Sequence, residues 1–349
     1  MALPSGAKVF VTLLPIALAV FVGFLTIGMQ MPVLPLHLHE TLGVGTLVIG
    51  MVIGLQFIVA LLSRPWAGNL ADLRGPKRAV IIGCLFAAGS GLAYLASMAF
   101  VATPATSVWI VVLGRILLAL GESLIATGAL GWSLGLVGPQ NAGVAPSAVR
   151  RTPFYKVLSA VLWPGMGLAL SSVGFGLITG FIALLFAAKQ WGDSSLAFTA
   201  FGAAFIGARV LFGHLPDKLG GAKVALVSVA IEAVGQFFIW GSDTASIAYL
   251  GAALTGFGYS LAFPGFGVEA VRRAPPQTRS LAMGAYVAFL DIALGITSPL
   301  AGALAGAQGI ASVYLAGAVT VASALIVAVR LLADRRATTG AAAHGKGRA

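Results

Sequence analysis

The chain has 349 residues, of which 59% are hydrophobic and only 9% charged, with a formal net charge of +11. Soluble domains carry about 25% charged residues, so these charges cannot cover a water-facing surface and lipid must solvate most of the chain. The basic excess does not mark a nucleic-acid binder, because it falls in small clusters between apolar runs, and the one cysteine, Cys84, excludes a disulfide framework and a CxxC metal site.

A membrane-crossing helix needs ~20 apolar residues. The first run, 9–36, follows Lys8. Ala17-Leu18-Ala19 imitates a cleavage site there, but the run far exceeds a signal core of about 7–15 residues and reads as a span. Further runs lie at 42–66, 79–100, 105–136, 157–188, 194–212, 224–242, 244–270, 279–304 and 309–333, which makes ten. The expected fold is therefore all-α and polytopic. Forty-six glycines and sixteen prolines suit such a protein, since membrane helices tolerate both where neighbours re-satisfy the backbone.

Ten spans put both termini on one side. With that side as the cytoplasm, 19 of the 21 Lys and Arg fall inside; Arg115 is within a helix and Lys189 faces out. The concentration of basic residues in cytoplasmic loops thus predicts an inner-membrane protein with both termini cytoplasmic. His37 and His39 sit at the outer mouth, either as pH-sensing groups or as solvated boundary residues.

The stretch after the second run reads Gly68-Asn-Leu-Ala-Asp72-Leu-Arg-Gly75-Pro-Lys77-Arg78. That after the sixth reads Gly213-His-Leu-Pro-Asp217-Lys-Leu-Gly220-Gly-Ala-Lys223. Gly, Leu, Asp, Gly and a basic residue match at one offset of 145, as do Arg64 and Arg209. Repetition at this scale marks a transporter built from parallel repeats. The stretch resembles the G-x-L-x-D-x-x-G-[RK]-[RK] signature of the major facilitator superfamily, between its second and third helices. The second half, with Val173-Gly-Phe-Gly176 and Gly207-Ala-Arg209-Val-Leu-Phe-Gly213, looks like the YhhS-like bacterial branch, usually filed under drug or sugar efflux.

The resemblance implies six helices per half. Aligning Asp72 on Asp217 instead leaves the ninth and tenth runs without counterparts in the first half, so the expected architecture is 4 + 6. It comprises a shortened bundle over 1–136, a cytoplasmic linker over 137–156, a six-helix bundle over 157–333 and a disordered tail over 334–349. Gly135-x-x-Gly138-Pro139-x-x-x-Gly143 faintly echoes the family's antiporter motif but ends the fourth run, and reads as a turn.

Charges inside lipid mark cavities or partners. Arg115, followed six residues on by Gly121, resembles the family's fourth-helix motif, which implies a part in proton coupling. Glu122 lies two turns from Arg115 on the same face, ~10 Å along the axis, suited to a water-linked relay. Other helices neutralising both, with a packing role only, is the alternative. Asp291 is a further isolated carboxylate, either a protonatable partner of Arg115 or a helix-pairing group. Glu232 falls on a helix the resemblance places at the periphery and reads as structural; Glu269 beside Arg272 and Arg273 reads as a boundary ion pair.

The resemblance further implies that Asp72 docks on the N-terminus of the ninth run near Thr278, where a carboxylate meets exposed N–H groups. Gly68, Asp72, Gly75, Lys77 and Arg78 would then form a gating loop, echoed by Gly213, Asp217 and Gly220. It also implies that the first and fourth helices of each half line the substrate path, making Gln30, Phe175, Tyr259 and Phe263 candidates, with Thr26 and Phe266, plus Gln56 from the second helix. Tight packing is the alternative for each. No Walker loop and no HExxH occur, and no metal or cofactor is expected. The expected function is proton-coupled efflux of a small organic solute, drug-like or sugar. Its partners are the solute, protons and lipid, with a homo-oligomer covering the shortened bundle. The alternatives are uptake, or a scaffold that has lost transport with two helices.

Overall fold

The computed structural model describes residues 6–137, 154–275 and 278–346. Contacts divide the chain into two compact units, Met1–Arg150 and Arg151–Ala349. Ten helices among the described residues are long and apolar enough to cross a membrane.

The first unit begins with α1 (Gly6–Gln30). A short α2 (Leu34–Leu36) and a π-helical turn (His37–Thr41) continue it. Then follow α3 (Thr46–Arg74), α4 (Pro76–Met98) and α5 (Pro104–Val137). α5 is the hub and packs on α1, α3 and α4. The crossing of α4 on α5 rests on a reciprocal glycine pair. A Cβ on Gly121 would stand 2.8 Å from the Gly83 carbonyl, and one on Gly83 2.9 Å from that of Gly121. Small residues let backbones meet where lipid supplies no hydrophobic drive.

The second unit holds α6 (Phe154–Lys189), α7 (Ser195–Phe212), a short α8 (Leu215–Leu219), α9 (Gly221–Trp240), α10 (Ala245–Arg273), α11 (Arg279–Gln308) and α12 (Ser312–Lys346). α10 packs on α9, α7 and α6, while α6 packs on α11 and α12. Val161, Leu168, Phe266, Tyr286 and Leu331 are in its core. The α9–α10 crossing repeats the device of α4–α5. A Cβ on Gly235 would lie 2.7 Å from the Gly251 carbonyl, and one on Gly251 2.7 Å from that of Gly235.

The two halves share one turn. Gly75 has φ 93° and ψ 142°, and Gly220, at the repeat offset, has φ 93° and ψ 139°. Each lies directly before the next helix, in a region essentially closed to side chains. Three expectations change. The stretch from Gly68 to Arg74 is helical, not loop, because no residue before Gly75 forbids it. α6 starts at Phe154, inside the expected linker. α12 continues as helix to Lys346, where a disordered tail from 334 is expected; its alanines favour helix. The expected turn at Gly138, Pro139 and Gly143 lies outside the described residues.

The units differ in how their first helices are covered. In a membrane-length window, 11% of the first span is buried, against 78% of the α6 span. Leu18, Phe21 and Met29 of α1 are more than half exposed. α6 owes its cover largely to α11 and α12.

Candidate functional site

In the first unit the polar site forms where α3 crosses α5. Ala60, Ser63 and Ser123 keep the crossing close: Ser63 Oγ donates to Ser123 Oγ at 2.7 Å, and Ser123 Oγ to the Ala60 carbonyl at 2.9 Å. One turn before Ala60, Gln56 is 1% exposed. Its Oε1 accepts from Arg115 Nη1, and its Nε2 donates to Glu122 Oε2 at 3.1 Å. One amide thus joins two groups that lie two turns apart on α5. Arg115 and Glu122, expected to suit a water-linked relay, are joined here by a side chain. Gln56, expected as a path-lining residue, is the bridge.

The positive charges of Arg64 and Arg115 both act on Glu122. Arg115 is 6% exposed, and its Nε has no hydrogen-bond partner. The ring of Tyr94 on α4 leaves no space for a Cβ on Gly114, so the residue before Arg115 must be small for α4 to close against it. The arrangement can hold a positive and a negative charge apart in apolar surroundings, or let them meet when the amide turns. Gln30 stands separately: its Nε2 donates to the Thr26 carbonyl of its own helix at 2.7 Å, and its Oε1 has no partner.

In the second unit Phe175 of α6 stacks on Tyr259 of α10, with centroids 5.2 Å apart and planes at 10°. Phe201 and Phe205 of α7 extend the cluster. Phe263 is apart from these, edge-on to Tyr286, whose hydroxyl donates to the Phe263 carbonyl at 2.6 Å. Asp291 is buried on α11, and its charge reaches Tyr259.

The signature residues lie at helix ends. Asp72 and Asp217 are both exposed, as are Lys77 and Arg78. Glu269 forms the expected ion pairs, with Arg272 at 2.8 Å and Arg273 at 2.6 Å. It also accepts from the backbone N–H of Ala222 at 3.3 Å, in the first turn of α9. This cap was not read from the sequence, although an acid opposite a helix that follows a Gly-Gly turn is a usable signal. Sequence reading also missed that Glu232 and Gln236, two polar residues one turn apart in an apolar run, are both fully buried.

A cleft of about 340 Å³ in the second unit is lined by Phe212, Leu215, Lys223, Val227 and Phe257. No group of three or more His, Cys, Asp or Glu able to hold a metal occurs among the described residues.

The family model described as Major Facilitator Superfamily matches residues 16–149 and 165–348. An uncharacterised MFS-type transporter of Pseudomonas aeruginosa strain UCBPP-PA14 is 38% identical over 93% of this chain and 94% of its own. One from Burkholderia mallei strain SAVP1 is 38% identical over 97% of each. Among solved structures, a mutant of the nucleoside transporter NupG has a TM-score of 0.63 at 14% identity, covering 92% of this chain and 99% of that one.

Proposed function

The chain belongs to the major facilitator superfamily and is a multi-pass membrane transporter, and from that premise we propose that it exports a small organic compound in exchange for protons. The observation that carries the reading is the buried Arg115–Gln56–Glu122 chain, which places a protonatable carboxyl one amide away from a guanidinium. Charge held at such depth is costly and is kept where it moves ions or solute. Protonation of Glu122 removes the acceptor charge that Arg64 and Arg115 act on. Arg115 is then free to seek another partner, and Asp291 is our choice for it. Alternating access between the two bundles would convert that exchange into transport.

Asp72 acts in this reading as a latch on the start of α11, with Gly68, Gly75, Lys77 and Arg78 around it and the Gly213–Gly220 copy in the other half. The path is lined from α1, α5, α6 and α10, with the Phe175–Tyr259 stack as a platform for a flat apolar solute, drug-like or a sugar face. The protein is in the bacterial inner membrane with both termini in the cytoplasm. Val173–Gly176 and Gly207–Gly213 support the YhhS-like branch.

We propose further that two helices are absent from the first bundle. The Pseudomonas aeruginosa alignment has 377 positions but spans 93% of a 349-residue chain, so about 50 positions of the relative face no residue here. That is room for two spans of ~20 residues. The bare α1 supports it too, since α6 is covered by the two helices without first-half counterparts. The same observation favours a second reading, in which the chain survives as a membrane scaffold or needs a second copy to cover α1.

Everted vesicles holding the protein test the reading, with ethidium as the drug-like probe and radiolabelled arabinose as the sugar. Export predicts accumulation of one probe that collapses with an uncoupler and is lost in Glu122→Gln combined with Asp291→Asn. Accumulation indifferent to both would remove proton coupling. Accumulation in right-side-out vesicles alone would make the protein an importer, and movement of neither probe, with normal folding, favours the scaffold.

A further inference from the structure

Glu232 of α9 is 0% exposed, and neither oxygen of its carboxyl has a hydrogen-bond partner. Gln236, one turn on and also 0% exposed, donates through Nε2 to the Gly174 carbonyl at 3.4 Å and to Thr255 Oγ1 at 3.1 Å. Its own Oε1 has no partner. Residues four apart share a helix face, so three buried oxygens without a donor lie along one side of α9. The contrast with Glu269 is plain: that carboxyl, equally buried, meets two guanidinium groups and a backbone N–H.

The walls are tight. A Cβ on Gly174 of α6 would stand 2.6 Å from Glu232 Oε1, and one on Gly258 of α10 would stand 2.8 Å from Glu232 Cβ. Gly317 of α12 closes on Gln236, with a Cβ there 2.9 Å from Oε1. The titratable neighbour is Tyr259 of α10, whose phenol feels Glu232, Asp291 of α11 and Arg209 of α7. α6 brings Gly174 against Glu232, and α12 brings Gly317 against Gln236. An isolated ionised carboxyl in such surroundings costs far more than a neutral one, so the site calls for one positive charge. A proton supplies that charge within the volume of the carboxyl itself.

We propose that Glu232 is a proton-binding site of the second bundle, separate from the Arg115–Gln56–Glu122 chain. The carboxyl carries the proton on one oxygen when α6, α9 and α10 are closed, and gives it to water when they part. Nothing in this depends on what the chain transports or in which direction.

Infrared difference spectroscopy of the full chain in lipid nanodiscs tests it without a substrate. A protonated-carboxyl C=O band should be present, shift in D2O, fall reversibly as pH is raised, and vanish in Glu232→Gln but persist in Glu122→Gln. Glu232→Asp, which keeps the acid, should restore a titrating band at a shifted frequency; this arm holds even if the Gln variant folds poorly. A band unchanged in Glu232→Gln would overturn the proposal, as would one that never titrates before unfolding. Loss of the band on adding NaCl but not KCl at fixed pH would also overturn it, because sodium would then be the occupant.

Discussion

Gln56 meets Arg115 with its carbonyl and Glu122 with its amide N–H, so replacing it strands two charged partners at once. Leaving a buried polar group without its partner costs about 1–3 kcal/mol, more for charged groups. Gln56→Leu should therefore lower the thermal unfolding midpoint in detergent clearly, and more than Gln30→Leu, whose bond stays within its own helix. Equal midpoints for the two variants would mean the bridge does not form. A second residue-scale expectation concerns pH. Asp193, exposed before α7, accepts from the Ser195 hydroxyl at 2.6 Å and from its backbone N–H at 2.8 Å. These bonds hold its carboxyl below the usual carboxylate range. A lowered folded value means the cap is fully present above the unfolded pKa and is lost as pH falls through the folded one. Amide exchange over the first turn of α7, corrected for intrinsic rate, should rise in that acidic window in the wild type and not in Asp193→Asn; a flat profile would exclude the cap. Arg115 and Glu122 were legible because charge is rare in an apolar run. The amide between them was not, since nothing local in α3 announces which residue of α5 it will face.

At the scale of helices, the twin glycine crossings make a paired prediction. Ala at Gly83 or Gly121 drives a methyl onto backbone, and overpacking of this kind costs typically 1–3 kcal/mol. Gly91→Ala, with open space around it, should leave stability unchanged in the same denaturation assay. Equal effects at all three positions would remove the crossing as the cause. The matching turns extend the comparison across the repeat. Gly75→Ala and Gly220→Ala should destabilise alike, by about 1–3 kcal/mol, because they share φ 93°. A large inequality would mean that the halves do not use the turn in the same way. The spans themselves were readable from apolar runs, and their ends less so. Polar residues after 66 suggested a loop, but a helix emerging from lipid need not stop there, and α3 continues to Arg74 until glycine turns it. Likewise the apolar run 9–36 hides a break after Gln30, since hydropathy does not record where a helix ends and a π-helical turn begins.

Across the whole molecule, the repeat predicts that Gly75 and Gly220 face the same side, with α4, α5, α6 and α7 between them. With Cys84 replaced by Ser, single cysteines at Arg74 and Lys218 should both react with an impermeant maleimide in everted vesicles and not in intact cells. Labelling from opposite sides would dismantle the two-bundle arrangement. The count of spans and the duplication were legible because lipid imposes both length and composition on each helix; the bareness of α1 was not, because exposure is a property of neighbours. Leu18, Phe21 and Met29 turn outward along that helix. A rod held on one flank alone leans to suit the oil it stands in, so hydrocarbon thickness sets its slope where α6 is fixed by protein. The opening helix should therefore gauge acyl-chain length, slanting more in thin membranes than in thick ones while α6 keeps its angle.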